Sequence, residues 1–253
     1  PCPADISANT LKEKDWLISS PNEECRQKGV DSIKRSIDLA ARLGLRVIVV
    51  HCGQVAMDPA LETRMRALFD SGLQDSAEYH DLLRENIKQR QCQAPVHMRA
   101  LKQSLLELVD YAGVYDICLG LENRYHYFHM PSLDEMEELL ALAEPTKLGF
   151  TYDIGHAQAL DRLGFFPHEE WLHRFADRMV EIHIHDVKGV FDHLAPGLGE
   201  VDFDHIAPFL PEKIVRTLEL HIINTPEQIK NGLAYLYSKG IIFKKERGEE
   251  SEK

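Results

Sequence analysis

Five short apolar runs in this chain of 253 residues each lead into ionisable side chains. His51 follows VIVV, Glu122 follows CLGL, Asp153 follows LGFTY, His183 and His185 alternate in EIHIH, and Glu219 and His221 do so in TLELH. Side chains alternate across a strand. Glu181, His183 and His185 therefore share the face opposite Ile182 and Ile184, and Thr217, Glu219 and His221 the face opposite Leu218 and Leu220. Glu122 likewise opposes Leu119 and Leu121, and His51 sides with Val47 and Val49. Taken singly, a histidine or glutamate at a strand end is an ordinary solvated or hydrogen-bonded loop residue. Repeated over five strands, the pattern predicts one shared site. Carboxylates converging without a cation repel one another and tend to protonate. A divalent ion removes that cost, and a mixed Glu/Asp/His shell suits Mn2+, Zn2+, Co2+ or Fe2+. The stretch VEIHIHDVKGVFDHLAPGLGEVDF, residues 180–203, adds Asp186, Asp192 and His193 before a Gly-containing bend and is expected to form one wall of that site.

The elements that must position these residues alternate between strand and helix. SSPNEECRQKGVDSIKRSIDLAARLG reads as a helix with a Ser20/Glu23 capping box and a stop at Gly44. PALETRMRALFD, AEYHDLLRENIKQR and MRALKQSLLELVDYAG read as separate helical segments between about 59 and 113. PSLDEMEELLALAEP carries a Ser132/Glu135 capping box, PHEEWLHRFADR has Pro167 placed for a first turn, and TPEQIKNGLAYLYSKG runs from a Thr225 cap to Gly240. Such alternation predicts a parallel sheet with helices outside it, and in parallel barrels chemistry gathers at the C-terminal strand ends.

Composition narrows the classes. The formal charge of −12 disfavours wide tracking of nucleic acid phosphates. The five cysteines, Cys2, Cys25, Cys52, Cys92 and Cys118, form no C-x-x-C pair, which fits a reducing, cytoplasmic setting. No apolar run approaches the ~20 residues of a membrane span. HEEWLH spaces His168 and His173 five apart, off a common helix face, and no G-x-S-x-G, P-loop or G-x-G-x-x-G occurs.

The motifs HCG, LGLENR, YDIGHA, HIHDVKG…DHLAPGLGEVDF and LEL, in that order over about residues 20–240, resemble the markers of the xylose isomerase-like barrel superfamily. That group includes sugar phosphate isomerases/epimerases and endonuclease IV-type AP endonucleases. The resemblance implies an α/β fold, a TIM (β/α) barrel, with a metal shell of Glu122, Asp153, His183 and Glu219. Glu122 and Glu219 would double as the catalytic acid/base pair. His51, His156, His185, Asp192 and His193 would serve a second metal or the substrate, and Arg124 and Lys188 the substrate. The endonuclease pattern D-x-H is departed from here, since the chain has Phe191-Asp192-His193 with the aspartate one place out of register.

Against the eight strands that close such a barrel, six can be counted, one a weak run ahead of His51. The expected fold is thus a barrel lacking its first one or two N-terminal βα units, either through a shortened N-terminus or as an open barrel that forms a homo-oligomer. It would span 1–243 with a helical insertion at about 59–97, ahead of a charged, disordered tail at 244–253. The activity implied is metal-dependent isomerisation or epimerisation of a sugar, or sugar phosphate, through an enediolate. The alternatives are a zinc phosphodiesterase of the AP endonuclease type and a non-catalytic sugar-binding barrel. The expected partner is a small sugar or polyol.

Overall fold

The computed structural model describes residues 8–243, so the tail at 244–253 lies outside the described residues. In chain order the elements are α1 (Ala8–Glu13), α2 (Glu23–Arg42), β1 (Val47–Val50), α3 (Pro59–Asp70), α4 (Ala77–Gly113), β2 (Cys118–Glu122), α5 (Leu133–Leu140), β3 (Leu148–Asp153), α6 (Ile154–Arg162) and α7 (His168–Phe175). There follow β4 (Met179–Ile184), β5 (Asp186–Lys188), β6 (Phe191–Leu194), α8 (Phe203–Ile206), β7 (Val215–Leu218) and α9 (Pro226–Ser238). β1-β2-β3-β4-β7 form one parallel sheet in that order, and β5-β6 a small antiparallel pair. This is a TIM barrel fold with five parallel strands curled as part of a barrel. The sixth strand counted from the sequence is not found among the described residues, where Ala8–Glu13 is helical.

Leu119, Leu121, Phe150, Tyr152, Ile182 and Ile184 turn one face of the sheet into a fully buried core against the helices. In register, Asp153 stands beside His183 and His183 beside Thr217, while Glu122 stands beside Thr151 and Thr151 beside Glu181. Register neighbours in a parallel sheet point to the same face. The polar residues therefore collect on the other side, at the C-terminal strand ends.

Two local expectations are corrected. The cap of α2 is Asn22, whose Oδ1 accepts the Cys25 amide at 3.0 Å. Ser20 instead turns its hydroxyl to Asp15 and accepts the Asn22 amide. The segments 77–90 and 98–113 are one helix of 37 residues running through Pro95. Proline removes one helical hydrogen bond, yet α4 packs along both α3 and α2, and that tertiary packing carries the helix through. No helix among the described residues is long and apolar enough to cross a membrane.

The α3 helix clamps the loop that follows β2. Glu62, 1% exposed, accepts the Tyr127 amide at 2.8 Å, meets His126 Nδ1 at 2.9 Å and accepts Arg66 Nε at 2.8 Å. Arg66 also donates to the Tyr125 carbonyl at 2.7 Å. Removing one member of a buried charge network leaves the others unpaired, so Glu62→Ala is expected to cost about 3 kcal/mol in urea unfolding. Glu62→Gln, which still accepts the Tyr127 amide, should recover part of that loss, and an unchanged midpoint in both would refute the clamp.

Candidate metal centre

Glu122 ends β2, Asp153 ends β3, His183 is one residue from the end of β4 and Glu219 follows β7. One ligand atom from each lies within 4.8 Å of all the others. A single ion holding nitrogen and oxygen at ~2.0–2.2 Å sets a comparable span between its ligands. The focus is His183 Nδ1, with Glu219 Oε2 at 2.8 Å, Glu122 Oε1 at 3.4 Å and Asp153 Oδ2 at 3.5 Å. Neither His183 Nδ1 nor Asp153 Oδ2 makes a hydrogen bond, although both are buried. Buried polar atoms left in this way cost energy. A shared divalent cation would satisfy both, so the residues fit one.

The surroundings orient these groups. Asp153 spends Oδ1 on the protein, accepting the His156 amide at 2.8 Å and meeting His185 Nε2 at 3.0 Å, which leaves Oδ2 for the centre. His185 is fully buried, and its Nδ1 accepts the His193 amide at 2.8 Å. It holds Asp153 and the β5-β6 hairpin rather than facing the centre. Gly155 is required beneath it, since a Cβ there would lie 2.2 Å from the His185 ring. Asn123 joins two strand ends: its amide group donates to the Asp153 carbonyl and accepts the Asp153 amide, both at 2.8 Å. The Asn123 carbonyl meets His156 Nδ1 at 3.0 Å. Asp186 accepts the amides of Val187, Gly197 and Val201, shaping the loop over the centre. Sequence reasoning did not assign roles to Asn123, Asp186 or Glu62, although LGLENR and H-x-x-D contain the first two.

Charge explains why the cluster tolerates burial. Burial alone would raise Glu122, but the Arg124 guanidinium and then His156, His183 and His51 hold it well below the usual carboxylate range. For Asp153, too, burial is outweighed, here by His156, His185 and His183. His183 is raised despite burial because Asp153, Glu122, Glu181 and Glu219 surround it. His183 and then His193 lower Glu219.

The remaining expected residues divide. His51, half exposed, places Nε2 2.9 Å from Glu122 Oε2, and Arg124 also pairs with Glu122. Asp192 joins a second group despite its register offset. It lies 2.9 Å from His193 Nδ1 and 3.8 Å from His156 Nε2, and His156, Asp192 and His193 could hold a metal together. The backbone at His193 is left-handed, with φ 57°. A third overlapping group is Asp153, His185 and His193. Burial opposes charge on His193, but Asp192 and Glu219 push it up to about 10. Lys188 is exposed at the end of β5 and takes part in none of these contacts. His168 pairs with Asp161 and His173 packs on Phe209, so HEEWLH forms no site.

The family model described as xylose isomerase-like TIM barrel matches residues 6–239. An uncharacterized protein of Methanocaldococcus jannaschii is 26% identical over 201 residues, 78% of this chain and 57% of the relative. A probable endonuclease 4 of Thermotoga sp. is 26% identical over 147 residues, 53% of this chain and 50% of the relative. The alignments thus span little more than half the length of these relatives. A solved D-tagatose 3-epimerase-like protein superposes with a TM-score of 0.62 at 20% identity, covering 92% of this chain and 83% of that one. That likeness concerns the fold.

The carboxylates around His183 favour its protonated form, and an imidazole must give up a proton from the atom that ligates an ion. Binding of Mn2+ should therefore release protons and tighten as pH rises, read by calorimetry in buffers of different ionisation enthalpy. His183→Ala should abolish tight binding. His185→Ala should keep it, with a loss of no more than about 10–100-fold, the usual effect of a residue that only orients a ligand. The opposite ranking would exclude His183 as the ligand.

Proposed function

The chain belongs to the xylose isomerase-like TIM barrel family, and on that premise we propose that it is a metal-dependent isomerase or epimerase of a sugar or sugar derivative. The observation that carries this reading is the convergence of two glutamates in unlike surroundings on one cation-binding centre. Glu122 is 1% exposed, whereas the Glu219 side chain is 47% exposed. A divalent ion held by Glu122, Asp153, His183 and Glu219 would supply Lewis-acid polarisation of a substrate carbonyl.

The chain's own residues would handle the proton. One glutamate removes the proton from the carbon beside the carbonyl, giving an enediolate, and a glutamic acid returns a proton to that carbon or its neighbour. Glu219, open to solvent, is the group able to exchange that proton, while Glu122 is confined by His51, His156 and Arg124. His156 and Tyr125, ring centroids 5.7 Å apart, stand beside the centre where substrate hydroxyls would lie. The loop carrying Tyr125 is fixed by Glu62 and Arg66, so this wall is preorganised.

One observation favours a second reading. The group His156, Asp192 and His193 gives the site further metal ligands, and the Thermotoga relative is a probable endonuclease. A phosphodiesterase with two or three zinc ions would use them.

Metal analysis separates the two readings, with about one tightly held ion per chain expected for the isomerase and three for the endonuclease. In D2O, a ketose substrate should take up deuterium at the carbon beside its carbonyl. Glu219→Gln should slow that exchange by about 10²–10⁴-fold. Cleavage of an abasic-site duplex without sugar exchange would overturn the isomerase reading.

A further inference from the structure

A cavity of about 110 Å³ adjoins the metal centre, with His51 as the shared wall. That volume is several times the ~10–15 Å³ a single water requires. Leu11, Trp16, Ile18 and Ile33 make its walls apolar. Its polar lining has a consistent character. Lys12, Arg124 and His129 face it, and no carboxylate lines it among the described residues, in a chain with 41 acidic residues against 29 basic ones.

Among the described residues, none of the three basic groups has all its donors and acceptors met. Lys12 stands exposed at the rim, without a carboxylate partner among the described residues. Partial burial and the nearby Arg124 charge pull its amine below the ordinary lysine range. Arg124 pairs with Glu122 through Nη1 alone, leaving further N–H donors. His129 is 8% exposed, and its Nδ1 is buried without a hydrogen-bond partner. A neutral imidazole can donate or accept there. Two cations at an apolar cavity in an acidic protein favour an anion, because charge-assisted hydrogen bonds gain strength where water is excluded.

We propose that this cavity binds the anionic end, carboxylate or phosphate, of a substrate whose polyol portion lies at Glu122, so that the enzyme acts on an anionic sugar. The sugar part rests on the isomerase reading, whereas the anion site rests on Lys12, Arg124 and His129. A neutral sugar would leave the Lys12 charge, and the Arg124 donors not used by Glu122, without an anionic partner at the cavity. The pairing of Arg124 with Glu122 orients the guanidinium between the two compartments. It thereby sets the spacing between the anionic end and the reacting carbons.

Trp16 provides the readout, since it lines the cavity and the other tryptophan, Trp171, is buried in the core at 1% exposure. Protein dialysed free of divalent ions is titrated with inorganic phosphate, D-gluconate, D-ribulose 5-phosphate and neutral D-ribulose while Trp16 fluorescence is followed. We expect saturable changes with the anions and at least tenfold weaker binding of D-ribulose. Lys12→Met should weaken the preferred anion about tenfold, as expected for loss of one charge-assisted contact, and leave D-ribulose unchanged. His129→Phe should weaken anion binding in the same way. Tighter binding of the phosphates than of D-gluconate identifies a sugar phosphate, and the reverse identifies a sugar acid. No saturable anion signal, or anion affinity unaltered in both variants with native circular dichroism, overturns the proposal. Anion binding without deuterium exchange in any sugar would retain the cavity assignment and reject the isomerase reading.

Discussion

Three carboxylates crowd one buried imidazole nitrogen, and the rest of the site is arranged around that electrostatic demand. Glu122, Asp153 and Glu219 each bring an oxygen within 3.5 Å of His183 Nδ1, and none of these contacts is a hydrogen bond at that atom. Such a concentration of negative charge is costly in a water-poor environment unless cations or donors meet it. Arg124 and His51 meet the outer oxygen of Glu122 and His185 that of Asp153, which leaves the inner oxygens convergent. This division makes the centre suited to a divalent ion rather than to a closed ion-pair network.

The backbone serves the same end. Asn123 ties the ends of β2 and β3 together, so Glu122 and Asp153 cannot drift apart independently. Asp186 gathers amides from the loop after β6, and Gly199 must lack a side chain because a Cβ there would lie 2.3 Å from the Asp186 carboxylate. Glu62 fixes the loop after β2 from outside the sheet. Each device satisfies buried polar backbone while fixing one wall of the site, linking the stability of the fold to the geometry of the chemistry.

The sheet ends at β1, and there residues 11–20 pack against the loop after His51, with Ser19 Oγ accepting the Gln54 amide at 3.0 Å. A loop and short helix pack less completely than a strand with its crossover helix. The cavity at Trp16 lies in this region, next to His51. An irregular edge of the fold therefore coincides with the side of the site where, among the described residues, Lys12 has no carboxylate partner.

Much of this arrangement was legible in the sequence, because strand alternation and strand-end chemistry are local properties. The period of two placed Glu122, His183 and Glu219 opposite apolar partners, among them Leu119, Leu121, Ile182 and Ile184, which face the helices. Asp153 was legible as a strand end, and the resemblance joined the four into one shell. The capping box at Ser132 and the cap at Thr225 were equally local and are present. Other features depended on groups distant in the chain. Ser20 lost its capping role to Asn22 because Asp15 competes for its hydroxyl, and Pro95 failed to break α4 because two other helices flank it. Asp192 lies near His156 across 36 residues of chain, a proximity that spacing alone could not reveal. Two partners of Glu62, His126 and Tyr127, lie 64 and 65 residues away, and Lys12 and Arg124 meet only across a cavity. Periodicity reports which face a residue occupies. Only the packed chain decides which distant charge stands opposite it, since that follows from how all the elements close together.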